Sequence, residues 1–184
     1  RAVPEVHSGA CAAARGIVVE SVEEVANMSI WQRYAQRRRE LAAQVRAGDF
    51  PRARDVAPGI AELHGLFPHM RLDPDANEAV LFHGTTEQNA GQIFQKGFDA
   101  RLSQRALYGR GVYFTTDSCK ALQYCGTDGT GRILVARVLL GRPFLAQGAM
   151  PNLGPDPGTQ GAERAYDSTI VRPGVSTGVG QQVH

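Results

Sequence analysis

The chain has 184 residues, of which 42% are apolar and 21% are charged. These values are ordinary for one soluble globular domain with a core of its own. No run of about 18 apolar residues occurs, which excludes a membrane-spanning helix. The net charge of +2 is too small to indicate nucleic-acid binding by itself.

Cysteine is too sparse to hold the fold together. The three residues Cys11, Cys119 and Cys125 provide neither a disulfide framework nor a zinc-ligand spacing. We therefore predict an intracellular protein, cytoplasmic or nuclear, that binds no metal. Residues 1–14 are interpreted as a leader or linker, and residues 15–184 as the single domain.

One long amphipathic pattern lies in the first third of the chain. Residues 30–45 predict a helix that is capped by Asn27 or Ser29 and ends at Gly48. Its apolar residues recur at helical spacing, and we expect them to face the core: Ile30, Trp31, Tyr34, Leu41 and Val45.

The rest of the chain predicts short elements of both kinds. Strands are predicted over residues 16–25, 79–83, 111–115 and 132–140. Helices are predicted near 60–66, from a capping box at 85–88 to Gly97, and over 117–125. Loops are predicted for most of 48–76, for 98–110 and 126–131, and for 141–184, which holds eight glycines and five prolines. Strands and helices in this mixed order indicate an α+β fold.

The predicted strand at 79–83 ends in a histidine and is followed by a glycine, and both residues could contact a ligand. The segment NEAVLFHGTT, residues 77–86, places His83 where its ring can hydrogen-bond a hydroxyl group. Gly84 has no Cβ, so a ligand could approach the backbone closely there. A core histidine beside a turn glycine is the simpler interpretation, and these residues alone favour it.

Two tyrosines eleven residues apart form a second candidate site. Tyr113 lies in the predicted strand over 111–115, and Tyr124 lies in the helix that follows. Two aromatic faces across a slot clamp a flat heteroaromatic ring, each contact contributing about 0.5–1.5 kcal/mol beyond burial. Two ordinary core aromatics are an equally good interpretation.

Three other groups of residues favour ordinary surface roles. The arginines at 37–39 indicate a solvated helix face rather than a nucleic-acid patch. His64 and His69 have no cysteine nearby, which disfavours metal binding. Glu163 and Asp167 lie in the glycine-rich region, where a loop carboxylate is favoured over a catalytic one.

Taken in order, several segments resemble one family. They are VEEVANMSIWQRYAQRRREL at 22–41, NEAVLFHGTT at 77–86, IFQKGFDARLS at 93–103, YGRGVYFTTDSCKALQYC at 108–125, ILVARVLLGRPF at 133–144 and YDSTIVRPG at 166–174. Together they resemble the catalytic domain of the poly(ADP-ribose) polymerase family, the diphtheria-toxin-like ADP-ribosyltransferases. The YDS triplet and the short loop over 98–110 are most similar to the tankyrases and the mono-ADP-ribosyltransferase branch.

This resemblance implies a fold and a reaction. The fold is a split antiparallel β-core with flanking short helices and an NAD cleft between its halves. The reaction cleaves nicotinamide from NAD and transfers ADP-ribose, as one unit or as a polymer, to an acceptor that is usually a protein side chain. NAD is a co-substrate, no metal takes part, and neither a membrane nor nucleic acid is an expected partner.

The family's donor-site residues map onto individual positions. His83 matches the histidine that holds the adenosine ribose hydroxyl. Gly84 matches the glycine whose backbone N–H and C=O hydrogen-bond the carboxamide of nicotinamide. Tyr113 and Tyr124 match the two tyrosines that stack on nicotinamide. His83 and Tyr113 are the two signature residues visible in this chain.

The resemblance also places the adenosine side of the donor. Thr85 would lie beside the adenosine. The stretch from Asp99 to Arg110 matches the loop that covers the donor site, which makes Asp99 a further candidate for contact with NAD.

Two departures from the family affect the expected activity. Ala121 occupies the position of a serine that donates a hydrogen bond to the carboxamide; losing that bond costs about 0.5–1.5 kcal/mol of donor binding. The third signature residue, a catalytic acid or its replacement, is expected after His184 together with the last core strands. We therefore expect the chain as given to have little or no activity.

Three functions compete at this point. An NAD-dependent protein ADP-ribosyltransferase is favoured because His83, Tyr113 and Tyr124 are all present. A catalytically weak or inactive protein that binds NAD or ADP-ribose is the alternative, motivated by Ala121 and the missing acid. An arginine-rich nucleic-acid-binding domain is the least favoured.

Overall fold

The computed structural model describes residues 18–103, 107–126, 131–150 and 166–171. The predicted leader at 1–14, Glu163 and the end of the chain after residue 171 lie outside these ranges. The helices are α1 (Met28–Arg46), α2 (Ala53–Val56), α3 (Pro58–Gly65), α4 (Glu87–Lys96) and α5 (Ser118–Leu122). The strands are β1 (Glu78–Thr85), β2 (Arg132–Leu139), β3 (Pro143–Ala146) and β4 (Ser168–Val171). Within the described ranges, no helix is both long and apolar enough to cross a membrane.

The central sheet is an antiparallel pair of β1 and β2. Their register runs from Glu78 opposite Leu139 to Thr85 opposite Arg132. Both strands were predicted from sequence and are confirmed, although β1 is longer than residues 79–83. The main core lies on this sheet and contains Ala53, Leu63, Ala79, Leu81 and Leu140.

Helix α1 is confirmed, and its C-terminal half is the more deeply buried part. The Oδ1 atom of Asn27 accepts a hydrogen bond from the backbone N–H of Ile30 at 3.2 Å, which caps the helix start. Leu41 and Val45 are buried with Phe50. Trp31 remains 43% exposed, whereas Ile30 and Tyr34 are half-buried, so the expected inward stripe is wrong at Trp31.

A buried charge fastens α1 to β1. The carboxylate of Glu78 accepts hydrogen bonds from Tyr34 Oη and from the backbone N–H of Asp73, both at 2.6 Å. Arg137 on β2 donates to the same carboxylate at 3.3 Å. The side chain of Glu78 is fully buried, and these donors compensate for the loss of water around its charge.

Two predicted strands are wrong as regular elements. Residues 18–27 form no helix or strand, and the side chains of Val18 and Val22 are 85% and 90% exposed. In residues 111–115, only Thr115 pairs, through one bridge to Phe82. β-propensity alone does not make a strand, because the segment also needs a free sheet edge to pair with.

The loop expected over 141–184 contains two strands. Strand β3 pairs with β4 in parallel, from Pro143 opposite Ser168 to Ala146 opposite Val171. A parallel pair needs a long crossover, and residues 147–167 are long enough to supply it. The α+β fold class is confirmed, with antiparallel pairing at β1 and β2 and parallel pairing at β3 and β4.

Asp167 has a structural role at the base of β4. Its carboxylate accepts hydrogen bonds from the backbone N–H of Arg142 and from the guanidinium of Arg37, both at 2.8 Å. Gly141, at φ +55°, leaves space for this carboxylate. The carboxylate thus ties β4 to α1 and to the start of β3.

Candidate active site

The edge of β1 that faces away from β2 presents its backbone to the candidate site. The N–H and C=O of Phe82 exchange hydrogen bonds with Thr115, at 2.8 and 3.0 Å. Because alternate residues of an antiparallel strand direct their peptide groups to opposite edges, the N–H and C=O of Gly84 face the same edge as those of Phe82. A donor and an acceptor therefore lie side by side where the resemblance predicts the carboxamide grip.

Gly84 also allows α5 to pack directly on β1. A Cβ at Gly84 would overlap the backbone carbonyl group of Ala121. The side chain of Asp117 caps α5 by accepting a hydrogen bond from the N–H of Cys119 at 2.8 Å. The close neighbour of the Gly84 Cα is thus a helix backbone, which differs from the expectation that this space is left for a ligand. Ala121 is buried in that contact.

The ring of His83 is fixed by a hydrogen bond and by two aromatic contacts. Its Nδ1 atom lies 2.8 Å from the carbonyl oxygen of Tyr113. Because a carbonyl oxygen only accepts, the neutral ring carries its proton on Nδ1 and leaves Nε2 as an acceptor. The ring centroids of Phe98 and Phe114 lie 5.1 and 5.6 Å from that of His83.

Tyr113 is tied to the loop that precedes it. Its hydroxyl donates to the carbonyl oxygen of Gly109 at 2.7 Å and accepts from the backbone N–H of Tyr108 at 3.0 Å. Burial raises the pKa of the Tyr113 phenol above its usual value, and the nearby Tyr124 adds to this shift. The phenol therefore stays neutral at physiological pH.

Tyr113 and Tyr124 present free aromatic surface near each other. They are 40% and 60% exposed, and among the described residues their rings make no direct contact. The Nζ atom of Lys120 lies 5.7 Å from the centroid of the Tyr124 ring. The two tyrosines have the exposure that a clamp for a flat ring requires.

Thr85 and Asp99, the two residues expected on the adenosine side, differ in their surroundings. Thr85 is buried, at 6% exposure, at the end of β1. The carboxylate of Asp99 accepts hydrogen bonds from the backbone N–H of Arg101 at 3.0 Å and from its guanidinium. The Arg101 guanidinium lowers the pKa of Asp99 to about 2, so Asp99 is charged at neutral pH. Residues 104–106 of the predicted covering loop lie outside the described ranges.

The structure thus groups most of the residues singled out from sequence. His83 contacts Tyr113, Tyr113 lies near Tyr124, and Gly84 packs on Ala121. The sequence patterns did not indicate that Phe98 and Phe114 are neighbours of His83. The rings of these two phenylalanines also contact each other, at 5.0 Å. Their only sequence signal is an aromatic residue directly after Gly97 and another after Tyr113.

The described residues show two further groups that were singled out from sequence. Arg37 and Arg38 pair with Glu40, Asp167 and Glu78, which leaves no continuous basic patch at 37–39. In the described part of the chain, no three His, Cys, Asp or Glu side chains are placed to hold a metal ion. A cavity of about 160 Å³ beside α3 shares no residue with the His83 and tyrosine group.

Comparison with known proteins is consistent with this site. Residues 6–162 match the family model described as the poly(ADP-ribose) polymerase catalytic domain. Over 57 residues, 30% of the chain, the sequence is 35% identical to protein mono-ADP-ribosyltransferase PARP11 of Mus musculus and of Homo sapiens, covering 17% of each. Over 156 residues, 83% of the chain, it is 26% identical to protein mono-ADP-ribosyltransferase PARP12 of Mus musculus, covering 18% of that protein.

The chain spans less than a fifth of the length of these relatives. The family match, in contrast, covers most of the chain, including His83, Gly84, Tyr113 and Tyr124. Members of this family use NAD as substrate and transfer its ADP-ribose group. This chain belongs to the poly(ADP-ribose) polymerase catalytic domain family.

Proposed function

We propose that the protein is an NAD-dependent mono-ADP-ribosyltransferase acting on protein side chains, with the chain itself among its acceptors. The family match supports the reaction type, and two relatives with mono-ADP-ribosyltransferase in their names support transfer of a single unit. The geometry of His83, Gly84 and the two tyrosines supports the donor site. No metal is part of the proposal.

The nicotinamide half of NAD would be held first. The N–H and C=O of Gly84 hydrogen-bond its carboxamide, and Tyr113 and Tyr124 stack on its ring. Such binding fixes the leaving group, so that the bond between nicotinamide and ribose breaks in a defined orientation. The bonding electrons leave with nicotinamide, and an acceptor nucleophile attacks the ribosyl cation and loses its proton.

His83 would hold the other half of NAD. Its Nε2 atom accepts a hydrogen bond from a hydroxyl of the adenosine ribose, since Nδ1 already donates to the carbonyl oxygen of Tyr113. This 2.8 Å contact is the observation that carries the proposal. It joins the residue assigned to the adenosine ribose directly to a residue assigned to nicotinamide, so both ends of the dinucleotide would be bound by one rigid unit.

A second candidate is a protein that binds NAD or ADP-ribose without turnover. Ala121 favours it, because the serine hydroxyl of the family is missing and the Ala121 backbone lies against Gly84. A carboxamide held with one hydrogen bond fewer is bound more weakly, by about 0.5–1.5 kcal/mol.

Incubation of the full-length protein with NAD labelled in the adenylate group separates the two candidates, because the third signature residue is expected after His184. Label that stays on protein after denaturation supports the transferase, and calorimetric NAD binding without such label supports the second candidate. His83→Ala should reduce either signal, whereas His69→Ala, at an exposed histidine outside the site, should leave it unchanged. A chain that neither binds nor transfers would contradict both.

A further inference from the structure

Two phenylalanines enclose the His83 imidazole, and neither belongs to the proposed NAD-contacting set. The Phe98 ring meets it edge to face, at 5.1 Å and 80°. The Phe114 ring lies at 5.6 Å and 54°. Phe98 and Phe114 also pack edge to face on each other, at 5.0 Å and 73°. The rings of His83, Phe98 and Phe114 thus form one cluster in the described part of the chain.

The hydrogen bond to Tyr113 does not fix this imidazole by itself. A half-turn about the Cβ–Cγ bond of His83 exchanges the positions of Nδ1 and the ring carbon Cδ2, and would break the bond. Water that reached the ring would compete for Nδ1 and would also accept a proton from Nε2. A single orientation with a free Nε2 acceptor therefore requires packing against the ring as well as the hydrogen bond.

Phe98 is the part of the cluster that lies at the protein surface. It is 37% exposed, whereas Phe114 packs on the main core. The backbone on both sides of Phe98 is fixed: Gly97 ends α4 at φ +85°, and Asp99 caps the next turn through the N–H of Arg101. The backbone that carries Phe98 is thus held in place beside the His83 ring.

We propose that Phe98 is a positioning residue that holds the neutral His83 ring in its Nδ1–H tautomer, with Nε2 directed to the donor. Phe98 acts through His83 and does not itself contact NAD. The assignment of the donor rests on the proposed function, but the tautomer is a property of the free protein. A test without NAD therefore separates the two.

The direct test is ¹⁵N NMR of the histidine side chains in the full chain, above the pH at which imidazole is protonated. The His83 signals are assigned by their loss in His83→Asn. The wild type should show one tautomer, with the proton on Nδ1. In Phe98→Ala the two nitrogen shifts should move towards each other, because the ring samples both tautomers. Phe98→Tyr keeps the ring and should restore the wild-type shifts.

Phe144→Ala is the matched control. Phe144 is half-buried and packs on Tyr166 at 5.2 Å, away from His83, so its removal destabilises the fold without touching the cluster. Its His83 shifts should equal those of the wild type. If Phe98→Ala does not fold, Phe98→Leu replaces it, with the same expected direction.

The affinity for NAD gives the second measurement. Phe98→Ala should weaken NAD binding about threefold to tenfold, as expected when one hydrogen bond is no longer pre-oriented, and Phe98→Tyr should restore it. Unchanged His83 shifts in Phe98→Ala, or equal changes in Phe144→Ala, would overturn the role of Phe98. A full-length protein that transfers no ADP-ribose, in which Phe98→Ala still mixes the tautomers, overturns the proposed function and supports the role of Phe98.

Discussion

The Nδ1 atom of His83 donates a hydrogen bond to the carbonyl oxygen of Tyr113, 30 residues away, at 2.8 Å. The strand that carries His83 and the extended segment that carries Tyr113 are also joined by the pair of bonds between Phe82, one residue before His83, and Thr115, two residues after Tyr113. These contacts make the two family signature residues of this chain one rigid unit. Changes at either residue should therefore affect binding of the whole dinucleotide.

His83→Ala should reduce NAD binding and turnover together. In the proposed function the imidazole orients the donor and does not act as a general base, so its loss should lower both quantities at every pH. Calorimetric NAD titration and initial rates measured across a pH series test this. A variant that keeps its NAD affinity and loses only a pH-dependent step would exclude the positioning role.

Tyr124→Ala should weaken ligands of the nicotinamide site by about 1–3 kcal/mol, because one of two stacking faces is lost. Calorimetry with a benzamide measures the change. Tyr166→Ala, which removes a tyrosine ring packed on Phe144 instead, is the control and should leave the affinity unaltered. Equal affinity of Tyr124→Ala and the wild type would contradict the stacking assignment.

Ala121→Ser should tighten binding of benzamide-type ligands by up to roughly tenfold, because the added hydroxyl supplies the missing carboxamide donor. The same titration in Ser118→Ala tests whether a neighbouring hydroxyl already has this role. A flat response to Ala121→Ser, combined with a loss in Ser118→Ala, would assign the donor to Ser118.

Gly84→Ala should destabilise the protein by about 1–3 kcal/mol or more, because the new Cβ overlaps the carbonyl group of Ala121 and forces α5 away from β1. Gly91→Ala is its control. Gly91 lies within α4 with open space around the Cβ position, so this change should stabilise the helix by about 0.5–1 kcal/mol. Urea unfolding should show that the free energy of unfolding falls in Gly84→Ala and rises in Gly91→Ala. An unchanged free energy of unfolding in Gly84→Ala would contradict the close packing of α5 on β1.

Tyr34→Phe should lower the free energy of unfolding by about 1.5–3 kcal/mol at neutral pH, because the buried Glu78 carboxylate loses a hydrogen-bond donor. Burial, followed by the bond to Glu78, raises the pKa of Tyr34 far above its usual value. The folded protein therefore keeps the Tyr34 proton after the unfolded chain has lost it.

The stability contributed by Tyr34 is thus complete below the tyrosine pKa of the unfolded chain, about 10, and falls as the pH rises above it. Urea unfolding of the wild type and of Tyr34→Phe at pH values from about 8 to about 11 measures the difference between them. It should shrink above about pH 10. A difference that stays constant or grows would show that the pKa of Tyr34 is not raised by folding.

Local sequence determined the elements that carry their own signals. Helix α1 has a cap at Asn27 and an apolar repeat that ends before Gly48. Strand β2 has seven apolar residues among the nine predicted at 132–140. The order of short motifs was sufficient for the family, as the family match over residues 6–162 shows.

The tertiary structure decided which segments pair and which side chains meet. Residues 18–27 and 111–115 have the composition of strands but form at most one bridge, while β3 and β4 pair within a region rich in glycine and proline. Pairing depends on which sheet edge is available, and that depends on distant parts of the chain. The contact of His83 with Phe98 depends on the same long-range arrangement, since the residues lie on different elements and no local pattern links them.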